Sequence, residues 1–167
     1  MERTLYLIRH AKSSWDDETQ RDFDRTLNQR GLRDAPAMAK KHADSGVKVD
    51  LIISSPAMRA HTTSKFYAHA HGMDVEHIDL QETIYNAGVM DLLDVVKNID
   101  DNHGCVILFG HNPGISMLVG FLSGQAVSMP TNGVAELKME IDHWKDADAY
   151  CAELKSFDYP KNHAELR

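Results

Sequence analysis

The stretch Thr4-Leu5-Tyr6-Leu7-Ile8-Arg9-His10 decides the fold class of this chain. Its first five residues are mostly apolar and rich in β-forming types, which predicts a short buried strand. Two further runs, Asp50-Leu51-Ile52-Ile53-Ser54-Ser55 and Cys105-Val106-Ile107-Leu108-Phe109, have the same character. Continuous apolar strands of this kind are typical of a parallel sheet that is covered on both faces. The three runs therefore predict a mainly parallel sheet.

Helical segments separate these predicted strands. Apolar periodicity and helix-start signals predict four helices, over Leu27–Ser45, from Pro56 to about Ala70, over Val89–Ile99 and from Ile115 to about Leu122. Pro36 is unfavourable inside the first of them, so that helix is expected to start late or to kink there. Because strands alternate with helices up to residue 122, we expect parallel crossover units and a three-layer α/β/α sandwich.

Weaker patterns predict the remaining strands. Val75–Leu80 indicates a third strand, and Val134–Ile141 and Tyr150–Phe157 alternate apolar and polar residues as a half-exposed antiparallel hairpin does. This hairpin would lie at one edge and make the sheet mixed. Since the sequence contains no repeat and no linker-like segment, residues 1–167 are expected to form a single α/β domain.

The composition excludes several classes of protein. Hydrophobic residues make up 43% and charged residues 26% of the 167 residues, values that are normal for a globular protein. The formal net charge of −7 and the lack of a Lys/Arg run argue against nucleic acid as a partner. No apolar stretch approaches 18 residues and no signal-peptide pattern is present, so a cytoplasmic protein with reduced Cys105 and Cys151 is expected, without a membrane partner.

Cationic and imidazole side chains follow the three strongest strands. Arg9 and His10 end the first strand, Arg59 follows Ser54-Ser55-Pro56 after the second, and His111 follows the third. Ligands of open parallel sheets bind at the carboxyl ends of the strands, so these side chains are expected to converge. Arginines donate paired hydrogen bonds to phosphoryl oxygens, and an imidazole can donate as well or act as a nucleophile. The pattern therefore predicts a phosphate site.

Three motifs in this order resemble the histidine phosphatase superfamily, whose fold is phosphoglycerate mutase-like. They are Leu7-Ile8-Arg9-His10-Ala11, Ser54-Ser55-Pro56-Ala57-Met58-Arg59-Ala60 and Gly110-His111-Asn112-Pro113-Gly114. Within the superfamily, the opening Arg9–Trp15 and the segment Asp24-Arg25-x-Leu27-x-x-Arg30-Gly31 resemble the SixA-type phosphohistidine phosphatases. Ala11 stands where the wider family more often has glycine, as is frequent in the SixA-type branch.

The resemblance implies a mechanism without metal or cofactor. His10 would attack phosphorus in line and become transiently phosphorylated, while Arg9, Arg59 and His111 would bind the phosphoryl oxygens. Glu82, just after the predicted third strand, best matches the family's general acid, although it also fits an exposed strand-end carboxylate. The histidines that remain show no metal-ligand spacing.

Other residues near the motifs are further candidates for the binding site. Arg25 matches an arginine of the SixA-type branch and would approach the phosphate, or else form a surface salt bridge. Ser13 and Asn112 flank the two histidines of the motifs and are candidates for phosphate binding. Trp15 would either form a wall of the substrate groove or pack over its own loop.

The short connection after Arg59 bears on the substrate. Only about 20 residues separate it from the end of the predicted third strand at Leu80, which leaves no room for the large cap of bigger family members. An open groove suits phosphohistidine in a protein, such as a phosphotransfer domain, and this is the favoured substrate. A small phosphorylated metabolite, hydrolysed as a phosphomonoester, is the alternative. A non-catalytic phosphate-binding module is a third reading, which the intact set of four motif residues disfavours.

Overall fold

The computed structural model describes residues 1–167 and contains one six-stranded mixed sheet between two layers of helices. The strands are β1 (Glu2–Arg9), β2 (Leu51–Ser54), β3 (Asp79–Leu80), β4 (Cys105–Gly110), β5 (Val134–Glu140) and β6 (Ala152–Asp158). The helices are α1 (Gln29–Asp44), α2 (Met58–Ala70), α3 (Val89–Lys97) and α4 (Gly114–Ser123). The spatial order of the strands is β3-β2-β4-β1-β5-β6.

Side chains of β1 alternate between two hydrophobic cores. Leu5 and Leu7 belong to the larger core, which contains apolar residues of α3 and α4. Tyr6 and Ile8 belong to the second core, which is built with residues of α1 and α2. Successive side chains of a strand point to opposite faces of its sheet, so an apolar run with no polar face requires cover on both sides. The predicted three-layer arrangement is confirmed.

The register of the sheet brings the polar strand ends to one level. β1 pairs in parallel with β4, with Arg9 opposite Gly110, and β2 pairs in parallel with β4, with Ser54 opposite Phe109. The backbone N–H of His10 then donates to the Gly110 carbonyl at 3.2 Å, which extends the ladder past the last residue of β1. The residues that follow β1, β2 and β4 therefore start from the same edge of the sheet.

Two predicted elements differ from the structure. The strand expected over Val75–Leu80 is reduced to the two residues of β3, because the Asp74 side chain accepts a hydrogen bond from the Glu76 N–H at 2.9 Å and caps a short 3-10 turn. Helix α1 runs through Pro36 and loses one internal hydrogen bond there. It begins after Asn28, whose side chain accepts from the Gly31 N–H at 2.9 Å.

The antiparallel addition at the sheet edge is confirmed. β5 pairs antiparallel with β1, and β6 pairs antiparallel with β5 as the outermost strand. Residues 141–151 join the two strands and include a 3-10 turn that buries Trp144 completely. None of the helices has both the length and the apolar character needed to cross a membrane.

Candidate active site

His10 lies at the base of a cavity at the carboxyl ends of β1, β2 and β4. Its side chain is 6% exposed, and its backbone carbonyl accepts from the Asn132 N–H at 2.9 Å. The ring Nδ1 is 2.7 Å from the carbonyl oxygen of Ala11. A carbonyl oxygen only accepts, so Nδ1 carries the proton and Nε2 keeps its lone pair. The side chain is thereby oriented with one ring nitrogen available as a nucleophile.

Burial keeps this imidazole neutral. Desolvation lowers the pKa of His10 to about 3, helped by the positive charges of Arg59 and Arg9, while the hydrogen bond to Ala11 opposes the shift. At neutral pH the ring is therefore unprotonated. A neutral imidazole can attack phosphorus without first losing a proton.

The cavity has a volume of about 570 Å³ and collects most of the residues singled out in the sequence. The predicted site residues on its wall are Arg9, His10, Ser13, Arg25, Arg59, His111 and Asn112. The other lining residues are Lys12, Trp15, Asp22, Asn86, Ala87, Gly88, Pro113 and Thr131. Three guanidinium groups and two imidazoles from separate stretches of chain thus face one space.

Glu82 is the exception, and the structure does not bring it to the cavity. It is exposed, lies in a 3-10 turn over Glu82–Ile84, and is absent from the cavity wall. The chain turns at this point because the Gln81 N–H donates to the Ser54 carbonyl at 3.0 Å and Ile84 enters the core. The structure therefore places Glu82 outside the wall of this cavity, and its role as general acid stays a prediction.

Asp22 is a site residue that the sequence did not reveal, and it joins two of the arginines. Its Oδ1 accepts from Arg25 Nε at 3.0 Å, and its Oδ2 accepts from Arg59 Nη2 at 3.1 Å. Its backbone carbonyl also accepts from Arg59 Nη1 at 2.6 Å, and the Tyr85 hydroxyl donates to Oδ2 at 2.6 Å. The spacing Asp22-x-x-Arg25 was a weak local signal for the first pair, whereas nothing in the sequence connected Asp22 with Arg59.

These contacts hold Asp22 ionised. Partial burial alone would raise the pKa of its carboxyl, but the hydrogen bonds from Tyr85 and Arg25 and the charge of Arg59 outweigh it and lower the pKa to about 2. Asp22 is the only carboxylate among the lining residues. At neutral pH the cavity wall therefore presents no protonated carboxyl group.

Arg25 is buried at 7% exposure, so the simple surface salt bridge considered for it does not describe its position. Besides Asp22, it donates to the Ser13 hydroxyl at 2.6 Å. Ser13 is thus on the cavity wall and also helps to hold an arginine there. Asn112 donates to the Met129 carbonyl at 2.9 Å and accepts from the Ser116 hydroxyl at 2.6 Å, which fixes its amide.

His111 faces His10 with a distance of 5.2 Å between ring centroids. Its Nε2 is 2.7 Å from the Ser55 hydroxyl, which itself accepts from the Ala57 N–H at 3.2 Å. Burial lowers the pKa of His111 to about 4, and the charge of Arg59 adds to this shift, so the ring is neutral at pH 7.

Buried nitrogen atoms without a protein partner identify what the cavity is suited to bind. Nε of Arg9, Nε of Arg59 and Nδ1 of His111 are all buried and make no hydrogen bond within the protein. Such groups are costly unless a ligand or solvent satisfies them, and two of them are donors of permanently charged groups. Their arrangement around His10 suits an anion with several acceptor oxygens. No group of three or more His, Cys, Asp or Glu side chains in the chain is placed to hold a metal ion.

Comparison with known proteins decides the family. The family model of the histidine phosphatase superfamily (branch 1) matches residues 5–91, which is more than half of the chain. This chain belongs to the histidine phosphatase superfamily. A chloroplastic relative from Arabidopsis thaliana, itself uncharacterized, is 32% identical over 155 residues, covering 88% of this chain and 71% of the relative.

Solved structures agree with the SixA type. A candidate phosphohistidine phosphatase SixA from Agrobacterium tumefaciens is 30% identical, with a TM-score of 0.80 and coverage of 95% of this chain and 98% of that one. The protein histidine phosphatase SixA in complex with tungstate has a TM-score of 0.78 at 17% identity over 95% of this chain and 98% of that one, which shows the shared fold. The chain is a phosphatase of SixA type with a phosphoglycerate mutase-like fold.

Proposed function

We propose that this phosphatase hydrolyses phosphohistidine in proteins through a phosphorylated His10. The observation that carries the proposal is that the cavity wall has an oriented imidazole but no carboxyl group free to act as an acid. The lowered pKa of His10 makes its ring a neutral nucleophile at pH 7. The one lining carboxylate, Asp22, is ionised and accepts hydrogen bonds from Arg25 and Arg59. Departure of an alcohol from phosphorus needs a proton donor. The imidazole of phosphohistidine leaves as a neutral ring once its other nitrogen is protonated, so it does not depend on an acid of the enzyme.

In the first step, the Nε2 lone pair of His10 forms a bond to phosphorus. The bond from phosphorus to the substrate nitrogen breaks, and its electron pair stays on the departing imidazole. In the second step, water attacks phosphorus, the bond to Nε2 breaks, and both protons of the water leave with the phosphate. The same side chains serve both steps, since the phosphoryl group stays near its binding groups throughout.

The charge of the site matches a phosphoryl dianion. Arg9, Arg25, Arg59 and Lys12 contribute four positive charges, Asp22 contributes one negative charge, and the neutral histidines contribute none. Three positive charges therefore remain on the cavity wall, enough to neutralise the two negative charges of the phosphoryl group. Fixed charges and donors of this kind stabilise the charge that spreads over these oxygens in the transition state. Nδ1–H of His111 would supply a further neutral donor.

Access to the cavity favours a protein substrate. The chain between Arg59 and β3 is taken up by the rest of α2 and by a 3-10 turn, which leaves no length for a separate cap. A phosphorylated side chain on the surface of a folded partner can reach a site of this kind. A phosphotransfer domain that carries phosphohistidine is the partner that fits this chemistry.

The test compares two substrate classes. Phosphate release from a phosphohistidine-bearing phosphotransfer domain is measured beside release from glycerol 2-phosphate, with wild type, His10→Ala and Glu82→Gln. We expect a higher kcat/KM for the phosphoprotein, a loss of at least about 10³-fold in His10→Ala, and a change below about 2-fold in Glu82→Gln, since exposed residues outside a site rarely matter. A higher kcat/KM for the monoester, or strong dependence on Glu82, would instead indicate a small-molecule phosphomonoesterase.

A further inference from the structure

Trp15 is a large exposed aromatic residue at the opening of the cavity. Its side chain is 69% exposed, yet it is one of the residues that line the cavity. No other Trp, Tyr or Phe is on the cavity wall. An indole in this position presents a large flat apolar surface to any molecule that enters the cavity.

One face of the Trp15 indole already contacts the guanidinium group of Arg25. The guanidinium carbon of Arg25 lies 3.5 Å from the ring centroid, a short cation–π contact. Arg25 is itself fixed by the Asp22 carboxylate and the Ser13 hydroxyl. A hydrogen bond also fixes the backbone beside Trp15, since the Ser14 N–H donates to the Thr26 carbonyl at 2.8 Å. The ring is therefore oriented before any substrate binds, and its exposed area lies away from Arg25.

In-line attack fixes where a leaving group must lie. The nucleophile and the leaving group occupy opposite sides of phosphorus, and His10 is the deeply buried partner. The leaving group consequently points towards the open side of the cavity, where the exposed Trp15 is found. There a flat ring can stack against the indole, whereas an ammonia or small alkoxide leaving group cannot.

We propose that Trp15 is a specificity-determining residue that stacks on an aromatic leaving group. On the function proposed above, on which this inference rests, the stacked group is the imidazole ring of phosphohistidine. Aromatic contacts of this kind correspond to a difference of about 3- to 10-fold in an equilibrium or rate constant. The contact binds the ring equally in the ground state and the transition state, so it acts mainly on KM.

The test uses two small phosphoramidates that differ only in the aromatic ring. N-phosphoimidazole and phosphoramidate are hydrolysed by wild type, Trp15→Ala, Trp15→Leu and Trp15→Phe. We expect the ratio of their kcat/KM values to fall about 3- to 10-fold in Trp15→Ala and Trp15→Leu, through KM, and to stay near wild type in Trp15→Phe. An unchanged ratio, with both substrates equally affected, would show that Trp15 only supports Arg25 and would overturn the inference.

A second substrate pair separates this inference from the proposed function. If wild type hydrolyses neither phosphoramidate but hydrolyses monoesters, the phosphohistidine assignment fails. The same variants are then compared on phenyl phosphate and glycerol 2-phosphate. A reduced preference for phenyl phosphate in Trp15→Ala supports the role of Trp15 with aromatic leaving groups, and an unaltered preference contradicts it.

Discussion

At the scale of single residues, the positions of two protons decide the chemistry. The Ala11 carbonyl keeps a proton on Nδ1 of His10 through the backbone, so no side-chain substitution nearby can reverse that contact. His111 depends instead on a side chain. The Ser55 hydroxyl accepts from Ala57 and lies 2.7 Å from Nε2 of His111, where it can donate its own hydrogen to that nitrogen. With the hydroxyl as donor, the proton of His111 is on Nδ1, the buried nitrogen that has no partner in the protein, and this is the tautomer we propose.

Substitution Ser55→Ala tests this arrangement. We expect a fall of about 10- to 100-fold in kcat/KM, the size of the effect when the partner that orients a metal-bound histidine is lost. Nitrogen NMR should show that His111 no longer keeps one tautomer, and Ser55→Thr should restore both properties. Ser54→Ala is the matched control, because the Ser54 hydroxyl is equally buried but donates only to the Ser55 carbonyl. Unchanged tautomer and rate in Ser55→Ala would refute the positioning role.

At the scale of elements, the loop after β1 depends on a close contact with α1. The Lys12 carbonyl accepts from the Asn28 N–H at 3.0 Å, and a Cβ atom at Gly31 would collide with that same carbonyl oxygen. The contact holds the segment that presents Ser13 and Trp15 to the cavity. Glycine is therefore required at this position for close approach of two backbones.

Gly31→Ala should lower the free energy of unfolding by about 2 kcal/mol or more, since the clash involves backbone that cannot move aside freely. Gly120→Ala is the control, because its nearest atom is 3.8 Å away and it lies within α4. That change should leave stability equal or raise it by up to about 1 kcal/mol. Urea unfolding of the two variants makes the comparison, and equal stabilities would disprove the packing argument.

The strands also show which parts of the fold and of the site the sequence could predict. The runs that became β1, β2 and β4 are apolar throughout, so both their strand character and the meeting of their polar ends followed from the pattern alone. Glu82 does not reach the cavity wall, because its placement depended on a third strand whose pattern was short and whose start was capped by Asp74. Asp22 was missed because an acidic residue in a polar loop looks solvated, and only tertiary packing sets it beside Arg59.

At the scale of the whole molecule, the buried imidazole of His10 and the partly buried imidazoles of His42 and His111 couple folding to pH. Burial lowers the pKa of His10 to about 3 and those of His42 and His111 to about 4, with the charge of His71 adding to the shift of His42. In the unfolded chain these groups have a pKa of about 6.5. Between these values the unfolded chain binds protons that the folded protein does not, so folding is favoured at higher pH.

The free energy of unfolding should therefore fall as pH is lowered from 6.5 to 5. Each group can lower the free energy of unfolding by up to about 1.4 kcal/mol per pH unit. The three groups together should lower it by about 3–6 kcal/mol between pH 6.5 and 5. His42→Gln removes one of them outside the active-site cavity, and should reduce the slope by less than about a third, because burial also lowers the pKa values of His61 and His71. Chemical denaturation at several pH values provides the measurement. A stability that is constant or increases towards pH 5 would contradict the description of these sites.

The most direct test of the account is to trap the phosphorylated enzyme. Wild type is mixed with a phosphohistidine substrate, quenched within milliseconds into alkaline denaturant, and mapped by peptide mass spectrometry. We predict one phosphoryl group on His10, lost on exposure to acid and absent from the His10→Ala variant. Turnover at the wild-type rate by His10→Ala, or a phosphoryl group carried on another residue, would show that His10 is not the nucleophile.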